Sequence, residues 1–288
     1  MSWLGATFSL DNVVAPTDIS VRRARPADKR AVNEICRHIW SGNDYVPEVF
    51  DEWVGDRRGG LWLATLDDRP VGVAKLTLLG DREAWLHGLR VHPRFRGRGV
   101  ARALITHRLA RAKALGARVA RLDTTDDNFP IHRLMRQLGF RRAGRFSAWA
   151  GDAQNGEPPR RATARDIPRL WRLARDSDGL LNEMFVQRRI GEADLKRDVR
   201  AGRCFVDTAH RPTAMAIVEP YQNRLRTRHL AGKGRALRQL LRALRAEAKR
   251  RNKRSIRVNA SSIRWPDLRA AGYRSVWSDS MLLFEKRL

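Results

Sequence analysis

The chain has 288 residues, with 58 Lys and Arg against 31 Asp and Glu, so its formal net charge is +27. Apolar residues make up 42% of the sequence, a globular composition with enough material for one large or two ordinary domains. No apolar run approaches the roughly 20 residues of a membrane-spanning helix, and residues 1–10 lack the basic start of a secretion signal. Two cysteines, Cys36 and Cys204, are too few for a disulfide framework or a zinc site. We therefore expect a cytoplasmic protein without a membrane anchor or a bound metal.

The excess of positive charge has three interpretations. A strongly basic chain favours binding to a polyanion such as a nucleic acid. Arginine is also a good helix former, and here it is spread along the whole chain, which is typical of an arginine-rich proteome. A site for an anionic cofactor would use part of the charge locally. Composition alone leaves all three open.

The hydrophobic pattern predicts alternating strands and helices in the first half. Residues 1–18 are an expected extension before a first strand at Ile19–Val21. A helix over Arg30–Trp40 follows, with Asp28 as its N-cap. Further strands are predicted at Leu61–Leu66, Val71–Leu79, Ala84–Val91, Val119–Thr124 and Gly139–Trp149, and helices at Val100–Leu115, which Gly116 ends, and Pro130–Leu138. This order predicts a mixed α/β fold with antiparallel and parallel pairing.

A second copy of the pattern follows a Gly/Pro/Asn-rich linker at residues 151–159. The first copy has Arg22-Arg23-Ala24 with Asp28, and the second has Arg160-Arg161-Ala162 with Asp166 at the same spacing. Other short matches keep the same order along both halves: Arg69-Pro70 with Arg211-Pro212, Arg102-Ala103-Leu104 with Arg235-Ala236-Leu237, and Leu138-Gly139-Phe140-Arg141 with Ala271-Gly272-Tyr273-Arg274. The order predicts a tandem duplication, with domains at residues 19–150 and 160–288.

The loop Arg96-Gly97-Arg98-Gly99-Val100-Ala101 lies between a predicted strand and a predicted helix. Unpaired N–H groups and the helix dipole favour anions at such a helix start, and glycines let a phosphate approach the main chain closely. Arg94, Arg96, Arg98 and Arg102 add positive charge. The loop therefore predicts a site for a pyrophosphate-like group. The Gly-Lys-Ser/Thr of a Walker A motif is missing, and the element order differs from a Rossmann unit.

Four features together resemble the GNAT superfamily of acetyl-CoA-dependent N-acetyltransferases over about residues 19–150. They are Leu89-x-Val91-x-Pro93, Arg96-Gly-x-Gly99-x-Ala101, Asn128 before a short helix, and Leu138-Gly139-Phe140. The segments Ser41–Pro47 and Gly88–Val91 are more narrowly similar to histidine N-acetyltransferase-like proteins. The resemblance implies that the loop binds the coenzyme pyrophosphate and that β-strand residues 89–91 pair with the pantetheine arm. The expected acetyl-CoA-binding residues are Leu89, Arg90, Val91, Arg96, Gly97, Arg98, Gly99, Val100, Ala101, Arg102 and Asn128.

His87 is the candidate general base. It lies in the strand before the loop, where family members often carry a carboxylate base, and its ordinary pKa of about 6.5 suits proton transfer. Alternation along the strand predicts that His87, Leu89 and Val91 share one face. A histidine hydrogen-bonded within the strand explains the residue almost equally well.

The general acid is open, because Met135 stands where the family often has a tyrosine. Asn128, Tyr45 or water is the expected substitute, or the thiolate leaves unassisted. Asn128 is also a natural cap for the following helix. Asp44, Tyr45, His87 and Asp123 are the expected acceptor-binding residues. Packing of Tyr45 in the core and solvation of the aspartates are the competing explanations.

The second half predicts a degenerate GNAT-like domain. His229-Leu-Ala-Gly-Lys-Gly234 matches the loop but lacks its arginines, and the strand before it is predicted to be short, so we expect weak or no coenzyme binding. Between Arg224 and Arg254 the chain has 13 Lys and Arg and a single acid, Glu247. A leucine stripe at residues 237, 240, 241 and 244 predicts an amphipathic helix whose basic face, within residues 233–254, is either solvated or binds a nucleic acid.

These features predict an acetyl-CoA-dependent acetyltransferase acting on the primary amine of an amino-acid-like small molecule in a ternary complex. One alternative is an acetyltransferase of a protein or nucleic-acid-associated substrate, docked by the basic C-terminal domain. The other is a non-catalytic nucleic-acid-binding module. The acceptor and the oligomeric state are not predicted.

Overall fold

The computed structural model describes residues 19–39, 42–80, 82–183, 186–207 and 210–288. The predicted extension at residues 1–18, Trp40 of the predicted first helix and Ser41 of the segment Ser41–Pro47 lie outside the described residues. The chain divides into two compact units. Unit 1 contains the described residues up to Leu78 together with Leu86–Ala117, and unit 2 contains Leu79–Trp85 and Arg118–Leu288.

Unit 1 is a β-sheet with helices packed on both faces. Its elements are β1 (Ile19–Arg23), α1 (Lys29–Cys36), α2 (Phe50–Gly55), β2 (Gly60–Leu66), β3 (Arg69–Leu79), β4 (Glu83–Val91) and α3 (Val100–Ala114), although Leu79 and the start of β4 through Trp85 belong to unit 2. The strand order is β1-β2-β3-β4, and the first two pairings are antiparallel. The strands predicted at Leu61–Leu66 and Val71–Leu79 are confirmed as β2 and β3, and the helix predicted after the loop is confirmed as α3. Gly116 has the left-handed φ of +88° that the predicted helix end requires.

The two faces of this sheet carry different helices. Val32, Phe50 and Trp53 from α1 and α2 pack with Leu63 and Val73 in one core. On the other face, a Cβ atom placed on Gly72 would lie 2.7 Å from Val100 and 3.1 Å from Leu104. Glycine at this position therefore lets α3 approach β3 closely. Because β4 belongs to this sheet and α3 packs on it, the sheet fixes the position of the loop between them.

Unit 2 is a larger mixed sheet, covered by five helices among the described residues. From the beginning of β4 the strand order is β4-β5-β15-β6-β13-β12-β11-β10-β7, with β14 beside β6. Strands β8 and β9 form a separate hairpin. The bounds are β5 (Val119–Thr125), α4 (Phe129–Gln137), β6 (Arg141–Asp152), β7 (Arg160–Arg161), α5 (Ile167–Arg175), β8 (Leu180–Glu183), β9 (Val186–Arg189), α6 (Glu192–Arg200), β10 (Cys204–Val206), β11 (Met215–Tyr221), β12 (Arg224–Ala231), α7 (Gly234–Arg250), β13 (Ser255–Ser261), α8 (Trp265–Ala270), β14 (Arg274–Ser275) and β15 (Met281–Arg287).

Strands from the two sequence halves alternate in the middle of this sheet. The C-terminal strand β15 lies between β5 and β6, so that Leu283 is opposite Asp123 and Gly144. The far end of β6 pairs in turn with β13, with Trp149 opposite Val258. The compact units therefore divide the chain at other places than the predicted boundaries, since residues 118–150 lie in unit 2. The tandem-domain boundaries stay predictions.

The repeated Arg/Asp pair makes the same contacts in both halves. Arg22 donates two hydrogen bonds to Asp28, of 2.8 and 2.7 Å, and Arg160 donates two to Asp166, of 2.9 and 3.1 Å. Each carboxylate also accepts a main-chain N–H three residues earlier, at 2.7 and 2.8 Å. Asp28 is the N-cap residue of α1, as predicted, but its carboxylate makes no capping hydrogen bond to that helix and instead caps the short 3-10 turn before it.

The second strand–helix junction differs from its prediction. His229, Leu230 and Ala231, predicted as part of a loop, belong to β12, which is not shortened. Only Gly232 and Lys233 join β12 to α7, so this junction has no loop like the one before α3. The basic segment from Arg224 is accordingly a strand before it is a helix. Within the described ranges, no helix combines the length and the apolar character needed to cross a bilayer.

Candidate active site

The loop before α3 has the backbone of an anion-binding helix start. Gly97 and Gly99 have φ angles of +79° and +88°, and Gly99 is the N-cap of α3. The N–H of Ala103 donates to the Gly99 carbonyl at 3.0 Å and closes the first turn. The N–H groups of the first helical residues therefore have no acceptor within the helix and face its open end.

The loop is also positively charged and sterically open. Between residues 86 and 117 the chain has eight Lys or Arg and no Asp or Glu. Arg94, Arg96, Arg98 and Arg102 have exposed side chains. A Cβ atom on Gly97 would have no heavy atom within 4 Å. Main-chain donors, cations and free space together fit a pyrophosphate group, which is the part of coenzyme A that the loop was predicted to bind.

The strand β4 is irregular at Gly88, which has a φ of +61°. A Cβ atom at this position would lie 2.6 Å from the Trp53 ring, so only glycine fits. The left-handed residue interrupts the alternation of side chains. Consequently His87 and Arg90 both contact the α1–α2 segment, whereas alternation had placed Arg90 on the opposite face.

The His87 ring is held by its neighbours in an uncharged state. Its Nε2 lies 2.9 Å from Oγ1 of Thr77, and its ring centroid is 4.9 Å from that of Trp53. Burial lowers the pKa of His87 to about 3, and the nearby cations of Lys75, Arg108 and Arg90 add to the shift. At neutral pH the imidazole is therefore neutral and accepts a proton poorly. The role of His87 as a general base stays a prediction.

Asp44 and Arg90 form a buried ion pair. Nε and Nη2 of Arg90 donate to the two carboxylate oxygens at 2.7 and 2.9 Å, and the Asp44 side chain is 1% exposed. Burial alone would lower the pKa of Arg90, but the hydrogen bonds with Asp44 raise it. The Asp44 carboxylate is thus already paired with a cation of the protein itself. Its expected contact with an acceptor, and that of Arg90 with the coenzyme, stay predictions.

Tyr45 belongs to the same aromatic layer. Its ring meets Trp53 edge-on at 5.9 Å, and the Arg90 guanidinium lies 5.5 Å from the Tyr45 centroid. Trp53, Thr77 and Arg108 were not predicted as site residues. A signal for Arg108 was available, since it follows Val100 and Leu104 on the buried stripe of α3, where an apolar residue is expected.

A pocket of about 740 Å³ opens elsewhere in unit 1. It lies between α1, residues 42–47 and the start of β3, and it reaches Asp44 and His92. His87 and the residues of the loop do not line it. Among the predicted site residues, Asp44 is therefore the one that lines this pocket.

The remaining predicted residues lie in unit 2. Asn128 stands at the start of α4, but its side chain donates to Thr124 Oγ1 at 2.9 Å and does not cap the helix. Burial raises the pKa of Asp123 to about 7. Met135 is fully buried in the core and offers no proton. The catalytic and binding roles predicted for Asn128 and Asp123 stay predictions.

Comparison with known proteins gives the family. Residues 30–140 match the model of the acetyltransferase (GNAT) family. The aminoglycoside N(6')-acetyltransferase type 1 of Stenotrophomonas maltophilia is 30% identical over 135 residues, which cover 44% of this chain and 86% of that enzyme. The histidine N-acetyltransferase of Xenopus tropicalis is 31% identical over 125 residues, 42% of this chain but 38% of that protein.

The fold extends this likeness to nearly the whole chain. A GCN5-related N-acetyltransferase from Sphaerobacter thermophilus superposes with a TM-score of 0.63 and 16% identity, covering 93% of this chain and 95% of that one. This chain belongs to the GNAT family of acetyltransferases, whose members use acetyl-CoA as acyl donor. The predicted family and fold class are thereby confirmed.

Proposed function

We propose that this chain transfers the acetyl group of acetyl-CoA to the primary amine of a small, amino-acid-like molecule. The observation that carries the proposal is the open, acid-free start of α3, with Gly97 and Gly99 in left-handed conformations. Acetyl-CoA supplies the acetyl group as an activated thioester. Its pyrophosphate is held by the first-turn N–H groups and by the charge of Arg96 and Arg98, and its pantetheine arm pairs with the main chain of residues 89–91.

His87 favours the reactive form of the amine. The acceptor nitrogen must carry a free electron pair before it can form an amide. Burial and the charges of Lys75, Arg90 and Arg108 oppose a proton on His87, and the same surroundings oppose an ammonium placed beside its ring. His87 then orients the neutral amine by a hydrogen bond. As the N–C bond forms and the C–S bond breaks, the proton that the nitrogen loses goes to the departing thiolate of coenzyme A, which leaves as the free thiol.

The charge around His87 also selects among acceptors. The two relatives are named for histidine and for an aminoglycoside. A polycation such as an aminoglycoside is repelled by the positive charge of Arg108, because Lys75 and Arg90 are each paired with an aspartate and Arg108 has no such partner among the described residues. A molecule with one amine and one carboxylate has no net positive charge and is not repelled. The rings of Tyr45 and Trp53 offer it apolar contact. These arguments support an amino-acid-like acceptor.

Docking of a macromolecular substrate on the basic helix α7 has no such support. Arg242 and Arg245 donate to the carbonyls of Ala270 and Ala271 at 2.8 and 3.0 Å. Arg250 and Arg251 are paired with Glu247. Much of this charge therefore serves the helix and its neighbours. The nucleic-acid alternatives stay predictions.

The test is a thiol-release assay with acetyl-CoA and a panel of amines. The panel contains single amino acids, polyamines and aminoglycosides, and mass spectrometry identifies an acetylated product. We expect amine-dependent release with one or more amino acids and little with the polycations. Release with aminoglycosides alone would contradict the acceptor class. Coenzyme A binding without release for any amine would contradict the acetyl transfer itself.

A further inference from the structure

Arg108 on α3 is an exception among the buried arginines of the described residues. Arg121, Arg228 and Arg264 are buried beside carboxylates, which they contact at 2.7, 3.1 and 2.6 Å. Arg108 is 1% exposed, and no carboxylate in the described part of the chain lies within ion-pair distance of it. Burial lowers the pKa of Arg108 to about 9, so it remains charged at neutral pH.

The guanidinium of Arg108 is bound instead by three main-chain carbonyls. Its Nε donates to Leu104 at 3.1 Å, and its Nη1 donates to Lys75 at 2.8 Å and to His87 at 3.2 Å. A buried charge without a counter-charge costs several kcal/mol, and an apolar side chain would fill this position of the helix without that cost. The contacts of Arg108 therefore point to a role beyond packing.

The His87 carbonyl precedes the irregular residue of β4. Gly88 takes its left-handed conformation directly after it, and this turn brings His87 and Arg90 to the same face. A left-handed residue in a strand disrupts the regular ladder and leaves main-chain groups to find other partners. Arg108 supplies such a partner for His87 and ties the same point of β4 to Lys75 of β3.

We propose that Arg108 is a positioning residue that fixes the His87–Gly88–Leu89 main chain for acetyl transfer. The inference rests on the proposed function, because that main chain adjoins the residues that would bind the pantetheine arm. Thr77 holds the His87 ring, and Arg108 holds its carbonyl, so both ends of the residue are fixed. The positive charges of Arg108, Lys75 and Arg90 face His87, and Asp56 opposes them.

Two variants and one control test this inference. Arg108→Met removes both the charge and the donors, and Arg108→Gln keeps one donor group without the charge. Arg111→Met removes an exposed charge one turn further along the same helix. For Arg108→Met we expect kcat to fall roughly 10- to 100-fold, as for small displacements of reacting groups. KM for acetyl-CoA should rise less than kcat falls, because Leu89 is only one end of the main chain that would pair with the pantetheine arm and the loop that would hold the pyrophosphate is intact.

Hydrogen exchange at the amides of Gly88 and Leu89 gives a second reading that needs no activity. Faster exchange in Arg108→Met than in Arg111→Met would support the inference even if no acceptor is found. A folded Arg108→Met variant with wild-type kcat and unchanged exchange would overturn it. If Arg108→Met does not fold, Arg108→Gln decides by the same two measurements. If the wild-type chain transfers acetyl to none of the amines in the panel, that result would count against the proposed function alone.

Discussion

The junctions β4–α3 and β12–α7 are two versions of one strand–helix turn with opposite outcomes. Residues 92–99 separate β4 from α3, whereas residues 232–233 separate β12 from α7. Both helices have a left-handed glycine at the start, Gly99 at +88° and Gly234 at +64°. In the second junction the Gly234 N–H donates to the carboxylate of Asp267 at 2.8 Å. An internal acid thus occupies the start of α7, whereas we propose that the start of α3 binds an external anion.

The strands leading to these helices differ in the same sense. In β4 the irregular residue is Gly88, beside an uncharged His87. In β12 the register shifts at Arg228, whose guanidinium is bound to Asp198 at 3.1 Å and Glu183 at 2.8 Å. Charge therefore serves internal pairing in the second junction, whereas in the first the side chains of Arg94, Arg96 and Arg98 are exposed, as the proposed coenzyme site requires. The comparison explains how a chain with a net charge of +27 need not be a nucleic-acid-binding protein.

The largest effect is expected from breaking the buried ion pair of the first unit. Asp44→Ala leaves Arg90 buried without its partner and should lower the free energy of unfolding by about 3–5 kcal/mol. Denaturant unfolding measures the loss, with Glu48→Ala as the exposed control from the same segment. Asp198→Ala should destabilise through Arg228 in the same way, yet leave coenzyme A affinity unchanged where the protein is folded. If Asp44→Ala and Asp198→Ala lost coenzyme A affinity equally, the result would contradict the proposal that only the first junction binds the coenzyme.

The next effect concerns the two glycines at the helix starts. Gly97→Val places a side chain in the open space before α3 and should weaken coenzyme A binding at least roughly tenfold, or 1.4 kcal/mol. Gly234→Val is the matched control, because its φ is also positive and its Cβ also meets no atom within 4 Å. Calorimetric titration should show wild-type affinity for this control. Unchanged affinity in Gly97→Val would remove the loop from the site.

Local patterns predicted one of these junctions and missed the other. The glycines and arginines of residues 94–102 are contiguous, so their chemistry could be inferred without knowing the fold. Asp267 and Gly234 are far apart along the chain, and the pairing of β6 with β13 and β15 joins strands from opposite halves of the sequence. Periodicity carries no information on such long-range pairing. Gly88 shows a further limit, because one left-handed residue reversed the face predicted for Arg90.

A pH-dependent effect follows from the uncharged His87. Its pKa is about 3 in the folded chain and about 6.5 when unfolded, so the unfolded state takes up a proton first as the pH falls. The contribution to stability is complete above about pH 6.5 and is lost progressively towards pH 3, by at most about 1.4 kcal/mol per pH unit. Unfolding between pH 6.5 and 4.5 should therefore be less pH-dependent in His87→Gln than in the wild type. Equal pH dependence in the variant and the wild type would show that His87 takes up its proton as readily in the folded state as in the unfolded state.

The smallest effect tests whether Asp267 only caps helix α7 or also prevents coenzyme A from binding at its N-terminus. Asp267→Ala removes the acceptor for the Gly234 N–H and should cost about 0.5–2 kcal/mol of stability, as for the loss of a helix cap. Asp279→Ala removes an exposed acid of the same unit and serves as control. Freeing the N-terminus of α7 exposes the positive end of its dipole but supplies no loop, because Gly232 and Lys233 are too short to wrap a pyrophosphate as we propose for residues 92–99. Titration of Asp267→Ala should therefore still give one coenzyme A per chain, and a second equivalent would mean that the internal acid alone had closed the second site.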